Sequence, residues 1–222
     1  MSRRNKVASR ATLRSSALLE PHTHSVEYLR AVPSTAPVLA VASPSQASLE
    51  GQVFGSLRYL HDPYNLGANV EDAIEIIRIV PGTDSLEVHV EPEGIASKLA
   101  EMLLPSWGPR DISLANGVPG LRYRATAGGH SIEFFLLGEP GVVRFIGVPV
   151  DQFLERRRLL LKGPEYRSVE SSTPLAAQET RSHPDAGAAE VASIVARRFG
   201  LFRALGGHGI DSWWNQPGRL SV

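Results

Sequence analysis

Apolar positions change period along this chain. Residues 86–91 alternate strictly, with Leu86, Val88 and Val90 on one side and Glu87, His89 and Glu91 on the other, the mark of a half-buried strand. Residues 73–80 (AIEIIRIV) permit helical spacing through Val70, Ala73, Ile74 and Ile77. Their β-branched content and the turn at Pro81 and Gly82 favour a strand instead. A hairpin through residues 81–85 then joins the two strands, and His89 is expected to face water. From residue 93 to 104 the period becomes helical, with Ile95, Leu99, Met102 and Leu103 on one stripe and Pro105 as the stop. Further strands are expected at 111–115, 120–127, 131–138 and 142–148, the last two joined by the short turn EPG. Residues 150–161 (VDQFLERRRLLL) read as a closing helix, with Asp151 near its positive end and three arginines toward its negative end.

The flanks carry weaker patterns. Residues 26–41 show two short apolar runs around a Pro/Ser turn, a predicted strand pair, and 43–51 is small and turn-forming. Residues 163–187 have few large apolar side chains and read as a flexible linker. Residues 188–205 place Val191, Ile194, Val195, Phe202 and Leu205 at helical spacing before Gly206 and Gly207. That helix either docks on the main domain or binds a partner, with Trp213 and Trp214 supplying apolar contact area for either purpose. The expected organisation is a flexible basic arm over 1–25, an α+β core over 26–162, a linker over 163–187 and a C-terminal helix with a Trp-containing tail over 188–222.

Composition narrows the classes. The 222 residues are 42% hydrophobic and 21% charged, values of a soluble globular chain rather than a disordered or fibrous one. Basic and acidic residues number 23 each, so no whole-chain field drives binding to a polyanion. Locally, residues 1–30 carry a net +4, 51–150 a net −5 and 151–222 a net +2. The Arg- and Ser-rich start, with no acid before Glu20, fits a flexible arm, and in composition also an organellar transit peptide. No window approaches the roughly 18 apolar residues that span a bilayer, so a cytoplasmic protein without a transmembrane segment is expected. The absence of cysteine excludes disulfides, thiolate metal sites and cysteine nucleophiles.

Candidate chemistry is sparse. His22 and His24 flank Thr23 before Ser25; on an extended chain, side chains two apart point the same way and can share a divalent ion. This HTHS string resembles the opening motif of PHP-type phosphoesterases, which makes a metal-dependent hydrolase one alternative, although the other histidines lack paired ligand spacing. Residues 202–212 resemble the carrier-protein loop that takes a phosphopantetheine arm on serine, here Ser212, but only ten residues follow it. Arg156, Arg157 and Arg158 with Lys162 form the densest basic cluster. A solvated helix end is the plainer reading, and a nucleic-acid-binding regulator the less favoured one. No GxGxxG, GxxxxGK[ST] or GxSxG frame is present. No catalytic residue is therefore assigned and no cofactor is expected.

One resemblance organises the rest. Leu57, Arg58 and Tyr59 followed by Asp62, Pro63 and Tyr64 resemble the LRY…DPY string of the SsgA-like proteins, sporulation and division regulators of filamentous actinobacteria. The two triplets are separated by Leu60 and His61, where the family usually has three residues, and no Trp lies near Val88. The order of elements over roughly 26–161 is also similar. The resemblance implies a Whirly-like sheet with two packed helices, a trimeric assembly and no active site. It further implies protein partners among the cell-division or cell-wall machinery, with recruitment to septa, and Trp213, Trp214 and Arg156–Arg158 are the candidate contact residues. Within LRYLHDPY the residues themselves suggest a structural part, Asp62 and Pro63 starting a turn while Tyr59 and Tyr64 pack on the sheet.

Overall fold

The computed structural model describes residues 3–57, 75–107, 117–126, 128–162, 167–168, 172–181 and 186–204. Three helices come first, α1 (Arg3–Leu18), α2 (His22–Ala31) and α3 (Pro44–Leu57). Next are β1 (Ile76–Pro81), β2 (Ser85–Val90), α4 (Ile95–Leu103) and the short β3 (Ser106–Trp107). They are followed by β4 (Leu121–Ala125), β5 (Ser131–Leu136), β6 (Val142–Ile146) and α5 (Val150–Lys162). The chain ends in β7 (Arg167–Ser168), α6 (Ala177–Arg181), α7 (Ala186–Ala196) and α8 (Phe199–Ala204).

The class is α+β, and its centre is a five-stranded sheet in the order β1-β2-β6-β5-β4. Three neighbouring pairs are antiparallel; β2 and β6 run parallel. That parallel pair joins the β1–β2 hairpin to the β4–β5–β6 meander, so the sheet is mostly rather than wholly antiparallel. Strand alternation sends Leu86, Val88, Ile132, Phe134, Val143 and Phe145 to one face, all fully buried. On that face Phe153 of α5 meets Tyr123 edge-on at 4.9 Å and Phe134 at 6.0 Å, a favoured geometry for aromatic pairs. Beside it, α4 buries Ile95, Ala96, Leu99, Ala100 and Leu103 and packs against α5. At the end of β6, Gly147 has φ 98, and a Cβ there would overlap the Val90 carbonyl oxygen, so this position requires glycine.

The flanks depart from expectation. Residues 3–18 are helical rather than a flexible arm: Ala11, Arg14, Ala17 and Leu18 are buried, and two of the basic side chains, Arg10 and Arg14, are used inside the molecule. Arg14 donates to Glu20 at 2.8 Å and to the Val38 carbonyl at 2.9 Å and lies over the Tyr28 ring. Arg10 donates to the carbonyls of Ser34 and Ala36. The strand pair expected over 26–41 is absent. Residues 22–31 continue the helical layer, burying Ser25 and Leu29 four apart. The small, turn-like 43–51 belongs to α3, because the same residue types start helices. Pro44 occupies the first helical position and the Ser43 hydroxyl accepts the Gln46 N–H at 3.3 Å.

The C-terminal segments also dock. Within the expected linker, β7 pairs with β3 and α6 carries a fully buried Glu179 side chain. Helix α7 lies against α3, but not through the apolar stripe read from the sequence. It buries Ala192, Ser193 and Ala196 and leaves Ile194 46% exposed. Gly51 of α3 is buried as well, and small side chains on both helices allow them to approach closely. At Gly200 a Cβ would overlap the Ser16 carbonyl, so α8 sits equally close on α1.

Candidate interaction surface

Helix α5 is built asymmetrically. Of its thirteen residues only Val150 and Phe153 are buried, while Leu154, Leu159 and Leu161 are 38%, 46% and 37% exposed. Leu154, Arg158 and Leu161 stand at i, i+4 and i+7 and share one solvent-facing stripe. The arginines, which sequence alone marks as a phosphate-contact candidate, each have neighbours. Arg156 donates to Glu101 of α4 at 2.6 Å across an exposed pair. Arg157 lies over the Tyr123 ring, 5.6 Å from its centre. Arg158 grips Glu155 with two donors at 2.6 and 2.7 Å, and these hydrogen bonds hold the Glu155 carboxyl below its ordinary range. Engaged with carboxylates, Arg156 and Arg158 present a mixed-charge surface rather than a free cationic patch.

The outer sheet face carries a charge row. Arg124, Glu133, Arg144 and Glu87 are successive cross-strand neighbours on β4, β5, β6 and β2, the arrangement in which opposite charges stabilise a sheet. Arg144 donates to Glu87 at 2.6 Å and to Glu133 at 2.8 Å. The hydrogen bond to Glu133 raises its pKa against the opposing effect of burial, assisted by the charges of Glu133 and Glu87. His89 lies two residues along β2 from Glu87 on the same face, as alternation predicts, although only 26% of its side chain is exposed. Burial, and then the charge of Arg78, push its pKa below 6.5, with Glu87 opposing.

Other sequence candidates fall elsewhere. His22 and His24 are both exposed on α2, and residues two apart on a helix are turned about 200° from each other. They cannot share one ion, so the same-side geometry of an extended chain does not apply. Among the described residues no group of three or more His, Asp or Glu is placed to hold a metal. Of the LRY…DPY string only Leu57 lies within the described residues, where it is buried at the end of α3. Arg58, Tyr59, Asp62, Pro63, Tyr64, Ser212, Trp213 and Trp214 lie outside them, as does the strand expected at 111–115.

Two buried charge clusters are invisible to sequence reading. Glu50 of α3 receives Arg197 Nη2 at 2.6 Å, the Ser193 hydroxyl at 2.6 Å and the Gln46 amide at 2.7 Å. Arg197 also donates to the Ala40 carbonyl. The other cluster is Glu179 with Arg122, both side chains fully buried. Burial pushes the Glu179 carboxyl up, but hydrogen bonds from Arg122, the Ala176 N–H and the Gly120 N–H outweigh it and leave its pKa below 4.5.

No protein-family model, curated protein or solved structure matches the chain. Among the described residues no helix is long and apolar enough to cross a membrane.

Proposed function

We propose that this protein is a non-enzymatic adaptor that assembles as a homo-oligomer through the exposed face of α5, and that recruitment depends on this assembly. The carrying observation is the set of three exposed leucines beside Arg156 and Arg158. Single exposed leucines are ordinary, whereas apolar side chains set among paired charges on one helix suit a protein contact with a polar rim. The partner class follows from the SsgA-like resemblance of residues 26–161: cell-division or cell-wall machinery recruited during sporulation, with a trimer as the expected assembly. Trp213 and Trp214 are a second candidate contact element in this reading.

The cellular test is a fluorescent fusion of the full chain in a sporulating filamentous actinobacterium. The fusion is expected to concentrate at division septa, and a Leu154→Glu/Leu161→Glu variant to spread through the cytoplasm at the same abundance. Uniform distribution of the unaltered fusion would remove the division reading. Septal localisation of both proteins would move the contact away from α5.

A further inference from the structure

Residues 172–181 reach the sheet beside β4 with little apolar anchorage, Leu175 lying half-exposed against Gly120. Along 172–180 Glu179 is the one buried side chain, and Leu175, the one large apolar residue, is 47% exposed. What holds the segment is a cradle of donors around one carboxylate. Arg122 donates from Nη1 to Glu179 Oε1 at 2.8 Å and from Nη2 to Oε2 at 3.1 Å. The Gly120 N–H donates to Oε1 and the Ala176 N–H to Oε2, each at 2.9 Å. The guanidinium also reaches the carbonyls of Thr173, Pro174 and Leu121.

These donors divide between two parts of the molecule. The Ala176 N–H travels with the segment, whereas Arg122 is part of β4 and Gly120 immediately precedes it. A two-pronged guanidinium beside a backbone N–H matches a carboxylate in shape and charge, whichever chain supplies it. Were the segment to lift, the sheet would retain those donors without their acceptor, a costly state that favours a replacement carboxylate.

We propose that Arg122 and the Gly120 N–H form a carboxylate-binding site on the sheet, that Glu179 is its resident occupant, and that residues 172–181 are a strap which a peptide bearing a Glu side chain displaces. The site reads the partner's Glu side chain and backbone carbonyls N-terminal to it, the groups the strap itself presents through Glu179, Thr173 and Pro174. This goes beyond the adaptor reading and does not depend on it.

The test uses the full chain with Glu179→Gln and, as probe, a synthetic peptide of sequence 172–181 (STPLAAQETR). Hydrogen exchange of the strap amides is expected to accelerate about tenfold or more in the variant while β5 and β6 stay protected, as local opening requires. The labelled peptide is expected to bind the variant at least about tenfold more tightly than the unaltered chain, in which tethered Glu179 competes. The same peptide with Gln in place of its Glu should bind neither. Loss of protection throughout the sheet would make Glu179 a fixed structural part and overturn the proposal. So would equal binding to both chains, no binding to the variant, or unchanged strap exchange.

Discussion

Arg197 and Glu50 meet across 147 positions of sequence, and both are nearly inaccessible to water. Removing one member leaves the other buried and uncompensated, so Arg197→Met is expected to cost about 3–5 kcal/mol in denaturant unfolding. The double variant Glu50→Leu/Arg197→Met should recover part of that loss, because an apolar pair removes the uncompensated charge, while Ser193 and the Ala40 carbonyl still lose their partners. Titrations should reflect the local fields. His89, held low by burial and Arg78, is expected to titrate below 6.5 by NMR; Arg78→Gln should raise its midpoint and Glu87→Gln lower it. For Glu179 the folded pKa lies below the ordinary 4.5. Its stabilisation is therefore complete above that value and lost as pH falls through the lower folded value, measurable as acid loss of exchange protection in 172–181. Strand parity made the outward position of His89 legible in the sequence. The buried arginines were not legible, because a charge normally signals solvent and its partner is distant in sequence.

At the scale of elements, sequence reading served where apolar residues are large and regularly spaced. The β1–β2 hairpin, α4, the β4–β5–β6 meander and α5 all have such patterns, and each is present. It failed where helices pack through small or polar side chains. Ala11, Ala17, Gly51, Ser193 and Ala196 are buried, yet none of them registers as an apolar stripe. Ser43 and Pro44 fit a turn or a helix start equally well, and only the docking of α3 decides between them. Helix α5 separates structural from contact roles within one element. Phe153→Ala is expected to cost about 3–5 kcal/mol through the cavity it leaves between Tyr123 and Phe134. Leu154→Glu/Leu161→Glu should change stability by about 1 kcal/mol or less, well below the Phe153 variant, since both side chains are partly exposed. Thermal and denaturant melts of the two variants check both values.

Across the whole molecule, charge stitches segments that composition describes as loose ends. Arg14 ties α1 to the 34–38 turn, Arg197 ties the α7–α8 junction to α3, and Glu179 ties α6 to β4. With these connections the helical flanks become part of the folded unit, and α5, which buries Val150 and Phe153 in the core, also presents Leu154, Leu159 and Leu161 outward. On this basis the proposed adaptor presents a helix of the folded unit as its contact element. The deciding measurement is the mass of the full chain by light scattering, taken beside that of the Leu154→Glu/Leu161→Glu variant. A trimer that dissociates to a folded monomer in the variant is the expected result. A monomeric unaltered chain, or a trimer indifferent to both glutamates, would contradict the role proposed for α5.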